Sequence, residues 1–163
     1  MWYLIGMYLA AIVTANLLVT TFGAVVSIPC AFFFVALDLT AGDRLHETWH
    51  HDGLLWKSTL LIASGSLISY ALNASADRIA LASFTAFIAS ASADRLMYAL
   101  LHDRAYLVKV NGSNVVSAAT DSVIFPVLAF GDFPILIIVG QFAAKTIGGA
   151  LWAYLLRPKQ RTA

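Results

Sequence analysis

Five ionisable side chains lie inside otherwise apolar stretches of the sequence, and these residues are the best placed to do chemistry. They are Asp38, Asp94, Arg95, Asp121 and Lys145. Each costs about 2.5 to 3.5 kcal/mol to insert at the centre of a membrane-spanning helix, so such residues face partners or water rather than lipid. Together they can bind a polar solute inside a helix bundle. Alternatively, a pair such as Asp121 with Lys145 only fixes packing.

Spacing groups these residues with other polar side chains into stripes along predicted helices. Asn114, Ser117 and Asp121 are separated by three and four residues, which stacks them on one side of a helix. Gln141 precedes Lys145 by about one turn. A third stripe consists of Ser83, Ser90 and Asp94. We expect the stripes to share one cavity with Asp38, and the predicted substrate-binding residues are Asp38, Asp94, Asn114, Ser117, Asp121, Gln141 and Lys145.

The composition predicts the elements that must position these residues. Of 163 residues, 60% are hydrophobic and 12% are charged, whereas a soluble domain has roughly a quarter charged residues. A membrane-spanning helix needs about 20 mostly apolar residues. Six apolar stretches satisfy this at residues 2–21, 24–40, 54–72, 79–101, 114–130 and 134–156. We therefore predict an all-α, polytopic membrane protein with a single six-helix domain over residues 1–163.

Basic residues in the loops predict the orientation, because retained positive charge marks the cytoplasmic side. Seven fall on the side that both termini share: Arg44, Lys57, Arg104, Lys109, Arg157, Lys159 and Arg161. The opposite side has only Arg78. Both termini are therefore predicted to be cytoplasmic.

A short motif in the polar run 42–53 suggests an alternative. His46, Glu47 and His50 match H-E-x-x-H, in which two histidines can bind zinc and the glutamate acts as general base. The run is typical of a solvated connector, and the second acidic motif of intramembrane metalloproteases does not accompany it. We predict no catalytic residues and no metal. A site on His46 and His50 in an intramembrane zinc protease is the weaker alternative.

Several other classes of function find no support in the sequence. Cys30 is the only cysteine and lies in an apolar run, which predicts a buried, unreactive thiol. The net charge of +1 forms no basic stripe, so no nucleic-acid partner is expected. No nucleotide-binding loop is present, and no cofactor is predicted. The expected partners are a small molecule and the lipid bilayer. Small residues in the sixth span leave a homo-oligomer open.

The polar residues also carry a resemblance to a known family. Asp38-Leu39-Thr40 closes the second predicted span, Asn114 with Ser117 and Asp121 opens the fifth, and Lys145 lies in the sixth. With these residues and Asp94, the sequence resembles the vitamin-uptake-transporter-like (VUT, YhhQ-type) family, the queuosine-precursor transporters of bacteria. The similarity extends over most of residues 24–156.

The resemblance implies a transporter, not an enzyme, that imports 7-cyano-7-deazaguanine or a related deazapurine for the queuosine modification of tRNA. It also implies a multi-pass protein of the bacterial plasma (inner) membrane. A guanine-like edge offers adjacent donors that a carboxylate, Asp121 or Asp94, can accept. Two alternatives remain: a substrate-binding membrane subunit of a multi-component vitamin or nucleobase importer, and a purely structural membrane component.

Overall fold

A computed structural model describes residues 2–49, 54–131 and 133–156, and the described residues fold into helices without a strand. We number six long helices along the chain. Four of them are regular α-helices: α1 (Trp2–Phe22), α3 (Leu54–Leu72), α4 (Asp77–Leu100) and α5 (Tyr106–Phe130). A short 3₁₀ turn, Ala74–Ala76, joins α3 to α4. Helix α2 covers residues 24–49, and α6 is Ile135–Leu155. The predicted all-α architecture is confirmed.

Helix α2 changes its winding along its length. A 3₁₀ turn (Ala24–Val26) is followed by one α-turn (Ser27–Cys30), a π-helical segment (Ala31–Val35) and an α-helix (Ala36–Trp49). The π-segment lies against α6 at Gly148, where a Cβ atom would be 2.5 Å from the carbonyl oxygen of Phe32. Only glycine fits there, so α2 and α6 approach each other closely. Segments of π-helix are often found at functional sites.

The helices have the length and composition of membrane spans. Five described segments are at least 18 residues long and strongly apolar: Trp2–Phe22, Ala24–Gly42, Ala74–Leu100, Tyr106–Phe130 and Ile135–Leu155. Helix α3 contributes a shorter apolar stretch, Thr59–Leu72. A polytopic membrane protein is therefore confirmed.

Two helix boundaries differ from the sequence-based prediction. Helix α2 continues beyond residue 40 to Trp49 because Ala41 and Leu45, one turn apart, are buried in the core formed with α1. Helix α5 begins at Tyr106 rather than at Asn114, since Val110 is fully buried against Tyr98 and Ala153. In both places the helix extends through a polar stretch of sequence, because the apolar residues on one of its faces are packed in the core.

The six helices form a closed ring around a polar interior. Each packs most extensively against two neighbours in the cyclic order α1, α3, α4, α5, α6, α2, and smaller contacts join α1 to α4 and α2 to α5. Helix α5 therefore lies opposite α1. Large apolar side chains face outward, as shown by Leu136, which is 84% exposed, whereas Lys145 is 1% exposed. Apolar surface outside and charge inside is the arrangement that a lipid environment favours.

Candidate functional site

A buried ion pair between α5 and α6 is the centre of the polar interior. Lys145 Nζ donates to Asp121 Oδ2, to Gln141 Oε1 at 2.8 Å and to Ser122 Oγ at 3.2 Å. An ammonium group has three protons, so these three bonds use all of them. Lys145 therefore has no donor left for a solute, and it is the counter-charge of Asp121 inside the bundle.

Gln141 extends this ion-pair cluster to a third helix. Its Nε2 donates to Ser27 Oγ on α2 at 2.9 Å, while the Ser27 hydroxyl donates to the backbone oxygen of Ala24. Because a hydroxyl has one proton, Ser27 can only accept from Gln141, which fixes the direction of the amide. The cluster thus joins α2, α5 and α6 with every donor of Lys145 and both amide atoms of Gln141 paired.

A cavity lies beside this cluster. Five of the six helices line it, and its polar lining is Asn16, Ser27, Ser83, Asp121, Gln141 and Lys145. Phe87 and Phe125 contribute aromatic surface, and the remaining lining is mostly small or aliphatic. The volume open to water centres is about 30 Å³. Since one water needs roughly 10 to 15 Å³, the cavity holds about two waters and is closed to larger solutes in this conformation.

A second group of buried polar residues lies between the cavity and the predicted cytoplasmic end. Asp38, Asn114 and Ser117 are at most 3% exposed, and Asn114 precedes Asp121 by seven residues, or about 10 Å along α5. Asp38 Oδ1, both amide atoms of Asn114 and Ser117 Oγ have no hydrogen-bond partner in the described part of the chain. We call these three residues the unpartnered layer.

Packing holds the unpartnered layer together. A Cβ atom at Gly149 of α6 would lie 3.7 Å from Asn114 Nδ2, and Thr40 of α2 is within 3.5 Å of the Gly149 carbonyl oxygen. Each unpaired buried polar group costs about 1 to 3 kcal/mol, so a protein retains such groups where water or a solute can reach them.

The predicted residues are thus divided between two levels. Asp121, Gln141 and Lys145 line the cavity, whereas Asp38, Asn114 and Ser117 form the unpartnered layer. Asp94 is half-buried two turns beyond Phe87 on α4 and does not line the cavity. These four residues therefore do not line the cavity in this conformation, because residue spacing gives the face of a helix but not the depth, and their role in substrate binding stays a prediction.

Sequence reasoning missed three residues near the site. Asn16 lines the cavity from α1, and Ser27 orients Gln141. The Tyr8 hydroxyl lies within electrostatic range of the charges of Asp38, Asp94, Arg95 and Asp121. Asn16 is the only asparagine in the first apolar stretch, a signal that the sequence contained.

The metal alternative finds no added support. Among the described residues, no group of three or more His, Cys, Asp or Glu side chains could hold a metal. Cys30 is a free, buried thiol, as predicted. The side chain of His46 and all of His50 lie outside the part of the chain that the structure describes.

The family of the chain is decided by comparison. A model of the family described as "Putative vitamin uptake transporter" matches residues 4–156, which include nearly all of the six helices. The chain belongs to this family. No curated protein and no solved structure matches it. Membership confirms the resemblance drawn from the residues, places the ion-pair cluster inside a transporter scaffold and argues against the protease alternative.

Proposed function

We propose that this member of the vitamin uptake transporter family imports a queuosine precursor, 7-cyano-7-deazaguanine or a related deazapurine, across the bacterial inner membrane. The observation that carries the proposal is the Asp121 carboxylate. Lys145 bonds Oδ2, which leaves Oδ1 outside the ion pair, and Asp121 lines the cavity. A buried, ionised acceptor beside a cavity is suited to a ligand that offers N–H donors.

The chemistry of a deazapurine matches this surface. The pyrimidine edge of a guanine-like base presents N1–H and an exocyclic amine, both donors, and a carboxylate is acceptor-only when ionised. Phe87 and Phe125 supply apolar, aromatic surface for a planar ring. A ligand without these donors would leave a buried acceptor unpaired, which costs about 1 to 3 kcal/mol. That difference supports selection of a guanine-like edge.

Import requires the cavity to open, because about two waters fill it in this conformation. The unpartnered layer offers a route toward the predicted cytoplasmic side. Asp38, Asn114 and Ser117 could exchange hydrogen bonds with a passing solute, since they have no described partners to give up. We therefore assign the cavity to substrate binding and the unpartnered layer to release.

Ligand-induced stabilisation of the purified protein in detergent tests the proposal. A deazapurine at one hundred times its dissociation constant should stabilise the wild type by about 2.7 kcal/mol. Asp121→Asn should abolish the shift. Asp103→Asn is the matched control, since this side chain is 84% exposed, and it should retain the shift. Each shift is measured relative to the same variant without ligand, so that a less stable variant is not mistaken for a non-binding one.

Uptake into proteoliposomes then separates a complete transporter from a subunit. Purified protein that accumulates radiolabelled 7-cyano-7-deazaguanine without other proteins supports the proposal. Binding without uptake would instead identify the substrate-binding subunit of a larger importer. No stabilisation by any purine or deazapurine would refute the proposed substrate.

A further inference from the structure

We infer that Asn16 is a second substrate-binding residue, whose side-chain oxygen accepts a hydrogen bond from a ligand N–H on the edge opposite to the one that Asp121 binds. The inference rests on the proposed function and deepens it. It assigns a role to a residue of α1 that the polar stripes do not include, and it defines which ligands fit.

The first step concerns the direction of the Asn16 amide. Asn16 Nδ2 is 3.1 Å from Ser69 Oγ on α3, and the Ser69 hydroxyl donates to the backbone oxygen of Gly65 at 2.8 Å. Because a hydroxyl has a single proton, Ser69 can only accept from Asn16. The nitrogen must therefore face Ser69, and the amide oxygen is the atom that remains available to a ligand.

Close packing makes this orientation possible. At Gly65 a Cβ atom would lie 2.9 Å from Ile12 Cγ2, so α1 and α3 touch where the Asn16–Ser69 bond forms. Asn16 is 3% exposed and Ser69 is fully buried. The side chain is therefore held by a bond that solvent does not compete for. The bond to Ser69 uses Asn16 Nδ2 and leaves Oδ1 out of this contact.

The second step concerns the donors of the cavity. Lys145 uses three protons within the ion-pair cluster, Gln141 donates to Ser27, and Asn16 donates to Ser69. Each of these two amide groups keeps a second N–H, and the described lining also includes the Ser83 hydroxyl and the weakly donating Cys30 thiol. Because Lys145 has no proton left, the cavity offers a ligand no free cation, and its acceptors are Asp121 Oδ1 and Asn16 Oδ1. This surface disfavours carboxylate ligands and favours N–H donors.

The third step is the placement of the two acceptors. Helices α1 and α5 lie opposite each other in the ring, and both line the cavity. A ligand held between Asn16 and Asp121 must then present donors on two opposite edges. A free deazaguanine base does so, with N1–H and the exocyclic amine on one edge and the pyrrole N9–H on the other. A nucleoside carries its sugar on N9 and lacks the second donor.

A double-mutant cycle between protein and ligand tests the inference by calorimetry in detergent. The ligands are 7-cyano-7-deazaguanine and its N9-methyl derivative, which lacks the pyrrole donor. Wild type should bind the parent base at least tenfold more tightly than the N9-methyl derivative, as loss of one buried hydrogen bond predicts. In Asn16→Ala the parent base should lose about tenfold in affinity, and the difference between the two ligands should fall below threefold.

A second variant separates binding from folding. Ser69→Ala leaves every cavity-lining residue in place but frees the Asn16 amide to rotate, so discrimination against the N9-methyl derivative should fall while the protein stays folded. A 2-deamino analogue, which lacks a donor on the Asp121 edge, should lose the same affinity in wild type and in Asn16→Ala. That result would show that the two residues contact different edges.

Each remaining result counts against the inference. If Asn16→Ala and Ser69→Ala keep the wild-type preference for the parent base, or if Asn16→Ala weakens both ligands equally, the role of Asn16 is refuted while the proposed function stands. If wild type binds no deazapurine, the proposed function fails, and the inference that rests on it is overturned with it.

Discussion

The ion-pair cluster and the unpartnered layer are separated by about 6 to 10 Å along α5, and their buried polar groups are paired to opposite extents. In the cluster, all three donors of Lys145 and both amide atoms of Gln141 have partners. In the layer, Asn114 has no described partner for either amide atom. A fully paired network rigidifies a core, whereas an incompletely paired one depends on water or solute. We therefore expect the first region to maintain the architecture and the second to be the one that rearranges when a solute passes.

Breaking the cluster should have the largest effect. Lys145→Met leaves the Asp121 carboxylate buried without its cation, and removal of one partner of a buried pair costs about 3 to 5 kcal/mol. We expect a loss of this size in the free energy of unfolding, measured by reversible unfolding in mixed micelles. Arg104→Met, at an exposed position after α4, is the control and should change stability by less than about 0.5 kcal/mol.

Removing both partners of the ion pair should separate its structural role from its binding role. In the double variant Lys145→Met with Asp121→Leu no buried charge remains, so most of the lost stability should return. Deazapurine binding should not return, because the acceptor is gone. A double variant as unstable as Lys145→Met alone would contradict the view that the unpaired carboxylate is the cause of the loss.

In the unpartnered layer, replacing a buried polar side chain by an apolar one should raise the free energy of unfolding instead of lowering it. Asn114→Leu removes two unsatisfied polar groups at similar volume, so the free energy of unfolding should rise by about 1 kcal/mol. Uptake should fall at least tenfold. Gln141→Leu provides the comparison, since it breaks hydrogen bonds to Ser27 and Lys145 and should destabilise the protein. Equal destabilisation by the two variants would remove the distinction between the regions.

The smallest expected effect is that of one added methyl group beside the layer. Gly149→Ala meets Asn114 at 3.7 Å, an ordinary contact, so stability should change by less than about 0.5 kcal/mol. Uptake should slow because the layer becomes narrower. The adjacent Gly148→Ala would press on the Phe32 backbone, and such overpacking costs about 1 to 3 kcal/mol. Thermal unfolding of the two variants compares them directly.

The fold was largely predictable from the sequence, because the hydropathy of a membrane span is a local property. The ion pair of Asp121 and Lys145 was also foreseeable as a structural alternative, since two opposite charges in an apolar environment require each other. The structure shows that it is one part of a larger arrangement, in which Gln141 and Ser27 are oriented by contacts 114 residues apart.

The orientations and partners of single polar residues could not be predicted, because they depend on contacts between helices that residue spacing does not reveal. Asn16 acquires its orientation from Ser69, 53 residues later in the chain. Ser90, placed on a stripe with Asp94, donates instead to the Phe87 carbonyl oxygen of its own helix. A single polar residue in an apolar span has no periodic signature, and the partner that gives it a role is set by helix packing.

The ring order of the helices has a consequence for biosynthesis. Helices enter the membrane in chain order, but α2 closes the ring against α6, and Thr40 meets Gly149 across 109 residues of sequence. Asp121 is translated 24 residues before Lys145. A nascent chain that has inserted five helices therefore exposes an aspartate without its lysine. The ion pair can therefore form only after the sixth helix has inserted.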